Sequence, residues 1–188
     1  MVWSQNSDMN ASQSGAVWAD VLLRDHRPLT QDLRADVCVI GAGIAGLLTA
    51  ERLHRAGKSV VVLDAQAVAV GETARTTAHV VNALDDRYTH LERLHGHDGA
   101  VLAAQSHTAA IDSLEQLSER LSISCDWKRV PGFLIVNAGH ASDKDRLLTE
   151  ELEAARRAGV EVTRVEVLPS PWPSETGGAL LFPGQGQM

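Results

Sequence analysis

The chain has 188 residues, 44% of them apolar, with 17 Lys and Arg against 24 Asp and Glu and a formal net charge of −7. This is ordinary globular composition, and the acidic balance without a basic run argues against nucleic acid or an anionic membrane surface as a partner. The uncharged stretch from Val37 to Ala50 is too short to span a bilayer, and no basic n-region precedes an apolar core at the N-terminus, so the expectation is a soluble, cytoplasmic protein.

Residues 1–15 are rich in Ser, Gln and Asn and are expected to be disordered. Val17 to Leu33 reads as a docking segment, with Trp18 as a packing anchor. Asp36 to Ala65 then reads strand, glycine turn, helix, strand, acid. Val37, Val39 and Ile40 form the apolar run of a buried parallel strand, and Cys38 within it is expected to be a small buried hydrophobe. Gly41, Ala42, Gly43, Ile44, Ala45 and Gly46 follow at once and open a helix that runs to about Ala56, where Gly57 stops it. Ser59 to Leu63 is the second apolar run, and Asp64 closes the unit 23 positions after Gly41.

Each of these residue types has a physical task. Gly41 permits a tight turn out of the strand. Gly43 has no Cβ, so a pyrophosphate can approach the backbone, and Gly46 lets the helix pack on the strand. The helix N-terminus offers amide groups and partial positive charge to that pyrophosphate. Asp64, followed by Ala65, sits where an acid accepts hydrogen bonds from ribose hydroxyls. An acid there disfavours a 2′-phosphate, which leaves FAD or NAD ahead of NADP.

The next stretch, Gly71 to His79, sets small hydroxyl residues around Arg75. It suits close approach to a flavin or phosphate, and it equally suits a polar surface loop. Asp85 to His95 reads as a short helix with Tyr88, Leu91 and Leu94 on one side, broken by Gly96. Asp98 is expected to cap a longer helix to about Leu121, with Ile111, Leu114, Leu117 and Leu121 as its apolar stripe. His90, His95 and His97 lack the spacing of a known zinc site, and no metal is expected. Residues 125–130 and 132–136 read as two strands joined at Pro131-Gly132. Ser142 and Asp145 suggest a capping box for a helix that Gly159 ends. Val160 to Leu168 is a strand candidate. Pro169, Pro171 and Pro173 then impose irregular structure, and Ala179 to Pro183 begins a new element.

The Asp36–Ala65 unit followed by GETARTTAHV resembles the FAD-dependent oxidoreductases of the D-amino-acid oxidase superfamily. It is most similar to a bacterial subgroup that often carries a C-terminal Rieske iron–sulfur domain. The Cys125-Asp126 pair and Val130-Pro131-Gly132-Phe133-Leu134 also match that subgroup. The resemblance implies that residues 41–46 cradle the FAD pyrophosphate and that Asp64 meets the adenosine ribose. The family more often has Glu there, one methylene longer. Arg75, Thr76, Thr77 and Ala78 would line the flavin side, and residues 133–136 with the helix at 142–158 would belong to the substrate-facing portion. No catalytic residue is assigned; His79 fits a role near the flavin and a packing role equally well.

The implied fold class is α/β: an incomplete Rossmann-like FAD/NAD(P)-binding βαβ domain with part of an α+β substrate domain. Residues 1–15 form the tail, 16–84 the FAD-binding segment and 85–188 a helical and partial substrate-domain segment. The implied chemistry is oxidation of a small amine or amino-acid-like molecule by hydride transfer to flavin, with electrons leaving to oxygen or a redox partner. Family members are about twice this length or more, so the chain reads as an N-terminal fragment that a second chain could complete. No Cys-x-His with a later Cys-x-x-His is present to hold a Rieske centre. Two alternatives remain at this point: an NAD-binding dehydrogenase and a non-catalytic nucleotide-binding remnant.

Overall fold

The computed structural model describes residues 26, 28–136, 143–169 and 178–188. The expected N-terminal disorder, Trp18, Ser142, Pro171 and Pro173 lie outside them. The chain divides into two compact units, Met1–Thr77 and Ala78–Met188.

The first unit is built from a contiguous βαβ segment. Val37–Ile40 (β1) and Val60–Leu63 (β2) pair in parallel, from Val37 opposite Val60 to Ile40 opposite Leu63. These β-branched and aliphatic runs suit a pleated ladder. Between them runs helix α1, Ile44–Arg55, which ends where Gly57 takes φ +78° and donates its N–H to the His54 carbonyl. Asp36 clamps the starts of both strands. Its Oδ2 accepts from the Ser59 N–H and hydroxyl, each at 2.8 Å, and the Ser59 amide foremost holds the carboxyl below its ordinary range.

Cys38 corrects an expectation: it is exposed, as is the neighbouring Ile40 at 87%. The reason is the sheet itself. β1 and β2 form a two-stranded ladder among the described residues, and α1 contains no buried residue. An apolar run therefore carries the pattern of a buried strand without the layers that would bury it.

The second unit is a helix-backed antiparallel sheet centred on Ala179–Gln187 (β6). Lys128–Leu134 (β4) pairs along one edge of β6. Thr163–Val165 (β5) and His79–Val80 (β3) pair with opposite ends of the other. The two strands expected on either side of Pro131-Gly132 are one strand. Its register shifts between Val130 and Gly132, a bulge rather than a hairpin turn. Pro131 has no N–H to offer a ladder, so a bulge accommodates it. At Gly132 an added Cβ would stand 2.8 Å from Cγ of Gln185, so glycine admits that side chain. The strand expected over 160–168 reduces to the three residues of β5.

Helix α2, Tyr88–Arg120, breaks at Gly96, which takes φ 72° and ψ 175°. Asp98 consequently lies inside the first turn after the break rather than at its cap. Ile111 is fully buried, whereas Leu121 is 51% exposed because the helix has ended. Helix α3, Lys144–Arg157, buries Leu148, Glu151, Ala154 and Ala155. Leu148, Ala154 and Ala155 join Tyr88, Ala100, Ala104, Leu180 and Phe182 in the main core.

The buried polar side chains of Asn82, Ser118, Glu151 and Gln185 are each hydrogen-bonded, as burial of a polar group demands. Glu151 reaches from α3 to the start of α2. One carboxylate oxygen accepts from the Tyr88 N–H at 2.7 Å, the other from the Thr89 N–H at 3.1 Å and the Thr89 hydroxyl at 2.8 Å. A distant side chain thus caps a helix that has no local cap. Gln185, 2% exposed, accepts from the Asn82 N–H and donates to Oδ1 of Asn82, both at 2.8 Å. Burial, then Glu151, pushes the Tyr88 phenol up to about 12. Arg129 ties α2 to the sheet: it donates to Glu115 and Asp112, each at 2.6 Å, and to the Gly184 carbonyl at 3.0 Å.

Candidate dinucleotide site

The glycine turn occupies the exit of β1. Gly41 takes φ +104°, a left-handed conformation that glycine adopts without penalty, and donates its N–H to the Leu63 carbonyl at 2.7 Å. Ala42 is buried, and its carbonyl accepts from the Ala69 N–H at 3.0 Å. Gly43 is the N-cap of α1 in extended backbone, and Ile44 and Ala45 begin the helix. A Cβ on Gly46 would be driven into the Gly41 carbonyl, with the carbonyl carbon at 3.1 Å. Gly46 is therefore required for the strand-to-helix turn itself.

The α1 N-terminus has no acid in its first turn, and Gly43 supplies no side-chain cap. Its positive end is left for an outside acceptor. One such acceptor is present: the Thr73 hydroxyl takes the Ile44 N–H at 3.0 Å. The same oxygen lies 3.2 Å from where a Gly43 Cβ would stand. A hydroxyl thus sits beside the surface where a phosphate oxygen is expected. Thr73 was not singled out by the motif, although its place two residues before Arg75 in a hydroxyl-rich stretch was a signal.

Asp64 is exposed at the end of β2. Its Oδ2 accepts from the Ala42 N–H at 2.6 Å and its Oδ1 from the Gln66 N–H at 2.8 Å. The Ala42 amide foremost, then that of Gln66, holds the carboxyl below its ordinary range. The carboxylate thus fastens the glycine turn to β2, and with roughly four lone-pair sites it retains acceptor capacity for hydroxyls. Ala65 follows it, exposed.

Glu72–Arg75 forms a 3-10 turn, and Thr76 continues it in extended backbone. Arg75 is exposed and pairs with Glu72 at 3.3 Å, and Thr77 is exposed as well. Ala78 opens the second unit with φ 56°, and its carbonyl accepts from the Met188 N–H at 3.3 Å. His79 is exposed on β3 opposite Gln187. Residues 41–46, 64 and 73 therefore form one hydrogen-bonded group, whereas Arg75 and Thr77 project from the adjoining loop.

This group fits a dinucleotide. It offers a backbone surface without Cβ, a helix N-terminus without an acid, and a carboxylate at the second strand end. No helix among the described residues is long and apolar enough to cross a membrane.

Comparison with known proteins agrees. Residues 36–188 match the family model described as FAD dependent oxidoreductase. The chain is 33% identical over 159 residues to a putative Rieske 2Fe-2S iron-sulfur protein YhfW of Bacillus subtilis, covering 85% of this chain and 30% of that protein. It is 32% identical over 108 residues to the gamma-glutamylputrescine oxidoreductase of Escherichia coli, covering 57% of this chain and 25% of that protein. The chain thus spans a quarter to a third of the length of these curated relatives. Its fold resembles that of an L-amino acid deaminase from Proteus vulgaris, with TM-score 0.63 at 15% identity over 88% of this chain and 41% of the other. The match selects FAD over the NAD alternative that the glycine motif left open: the chain belongs to the family of FAD dependent oxidoreductases.

Proposed function

We propose that the chain forms the nucleotide-binding end of a flavoenzyme that oxidises small amines or amino-acid-like molecules. Residues 41–46 hold the FAD pyrophosphate against the α1 N-terminus, and the Thr73 hydroxyl stands beside it. Asp64, already fixed by the Ala42 and Gln66 amides, presents its remaining lone pairs to ribose hydroxyls. Ala65 and the Arg75–Ala78 stretch line the cofactor beyond. The bound flavin supplies the two-electron acceptor; the chain's own groups bind, orient and shield it.

The observation that supports this reading is the α1 N-terminus behind Gly43, with no acid in its first turn and no cap from Gly43 itself, and Asp64 bonded to the same turn. The substrate class is supported by the names of the E. coli relative and the Proteus structure, one acting on an amine and the other on amino acids. Residues 133–136 and α3 are assigned to the substrate-facing portion. A redox partner is included in the reading because one relative is named for a Rieske centre. So is a further polypeptide, since β1 and β2 are a two-stranded ladder among the described residues. Free thiols at Cys38 and Cys125 suit a reducing, cytoplasmic setting.

The test is the visible absorption spectrum of the purified chain after FAD is added and the excess removed. Flavin bands near one equivalent per chain are expected. A colourless folded chain would refute FAD binding by this segment.

A further inference from the structure

The segment from Ala78 to Ala83 lies wholly in the second unit and is fastened along its whole length. The Ala78 carbonyl accepts from the Met188 N–H at 3.3 Å, and β3 pairs His79 with Gln187 and Val80 with Gly186. The Val81 carbonyl lies 3.2 Å from Nδ1 of His107 on α2. Asn82 is engaged at all four of its polar groups. Its N–H donates to Oε1 of Gln185 at 2.8 Å, and its Nδ2 donates to the Thr108 hydroxyl at 3.0 Å. Its Oδ1 accepts from Nε2 of Gln185 at 2.8 Å, and its carbonyl accepts from the Tyr88 hydroxyl at 2.6 Å. Oε1 of Gln185 takes the Ala83 N–H as well, at 3.3 Å.

These bonds serve position more than stability. Replacing both partners of a buried polar pair by apolar groups of the same shape is close to neutral, so a stable core does not call for two amides here. The fold nevertheless makes room for them: Gln185 is 2% exposed, and the missing Cβ of Gly132 admits its Cγ. What the pair holds is a strand of two residues, which pairs with β6 alone among the described residues. Ala78 adds an independent observation. It takes φ 56°, a left-handed conformation that is costly for alanine and persists only where the surroundings over-determine it. The fastened segment begins at this residue.

We propose that Gln185 and Asn82 are positioning residues for the flavin: their paired amides fix β3 and, through it, the strained Ala78 backbone. The inference rests on the assignment of Ala78 to the flavin side. It extends that assignment to two buried side chains, one of them at the far end of the chain, that act through another residue.

The test compares absorption and fluorescence of bound flavin, with FAD titration, in the full chain and four variants. Gln185→Met and Asn82→Leu remove the amide pair and keep the bulk. Both should bind FAD within about twofold of the parent, because the pyrophosphate and ribose contacts lie in the first unit. Both should shift the visible bands and the fluorescence of the bound flavin. Asn82→Asp keeps the bonds to Gln185 and Thr108, since the Thr108 hydroxyl donates as readily as it accepts, and should restore the parent spectrum. Val162→Ala removes buried methyl groups from the same core and none of these bonds, and should also give the parent spectrum. A colourless parent chain would refute the flavin reading and the inference with it. A flavin-bearing parent whose spectrum is unchanged in Gln185→Met and Asn82→Leu would overturn the inference alone. So would an equal shift in Val162→Ala, or a failure of Asn82→Asp to restore the parent spectrum.

Discussion

Adding one methyl group at Gly43 or at Gly46 separates cofactor recognition from folding. At Gly43 the backbone is extended, with φ −80° and ψ −179°, so alanine meets no conformational barrier. Its Cβ would lie 3.2 Å from the Thr73 hydroxyl oxygen, the end of a side chain that can shift by a few tenths of an ångström. Alanine is a poorer N-cap than glycine, but it also lowers the entropy of the unfolded chain. The two effects nearly cancel, and Gly43→Ala should change stability by no more than about 1 kcal/mol. The same methyl group projects into the surface assigned to the pyrophosphate. Losing two hydrogen bonds to a charged phosphate removes at least about 3 kcal/mol, or roughly a hundredfold in FAD affinity. Gly46→Ala differs, because its methyl group collides with the Gly41 carbonyl and opens the turn. Urea unfolding and fluorescence titration with FAD should therefore show Gly43→Ala stable and flavin-free, and Gly46→Ala impaired in both. Unchanged FAD affinity in Gly43→Ala would refute the placement of the pyrophosphate.

Four further outcomes follow from the contacts described. Thr73→Val removes the acceptor for the Ile44 amide and should weaken FAD about tenfold, with Thr73→Ser near the parent; equal binding by Val and Ser would count against a role for the hydroxyl. Glu151→Ala leaves the Tyr88 and Thr89 amides without their acceptor and should cost roughly 2–4 kcal/mol in urea unfolding, more than Glu151→Gln; equal losses would contradict the capping role. Asp36, Asp64, Glu92 and Glu115 all have lowered carboxyl values, owing foremost to Ser59, Ala42, Arg157 and Arg129 respectively. Their contribution is full above the unfolded carboxylate range of about 4 and is lost as pH falls through the native values, so the urea midpoint should drop below about pH 4; a rise on acidification would be the wrong sign. Tyr88, raised to about 12, contributes fully below its unfolded value near 10 and loses that contribution as pH climbs toward 12, an alkaline loss that Tyr88→Phe should abolish.

The parts of the molecule that were readable from the chain are those whose cause is local. Gly41, Gly43, Gly46 and Asp64 act within thirty residues of one another, and backbone sterics alone dictate their spacing. Gly57, Gly96 and Gly159 stop or break helices by their own conformations. What escaped depends on residues far away in sequence. Pro131-Gly132 has the composition of a turn, and it becomes a bulge because β6 lies alongside it and Gln185 needs the space. The cap of α2 is Glu151, 63 positions from Tyr88, which no pattern at the helix start can announce. Cys38 followed its neighbours' apolar pattern into a burial that two strands do not provide. Thr73 lay within the stretch flagged for its hydroxyls, but its bond to Ile44 required the loop to fold back on α1.

The central position of β6 has a consequence for the order of events in folding. Strands β3, β4 and β5 all precede β6 in sequence, and each pairs with it. The Asn82–Gln185 bonds close a separation of 103 residues. The sheet of the second unit has no assembled intermediate of fewer strands to rest in, because its earlier strands share no ladder among the described residues. The βαβ segment, whose partners are contiguous, can form while that sheet is still waiting. Such long-range closure slows folding and leaves strand edges open in the meantime. Refolding should therefore show a fast phase from the first unit and a slower phase from the second. Substitutions in β6 should retard the slow phase alone.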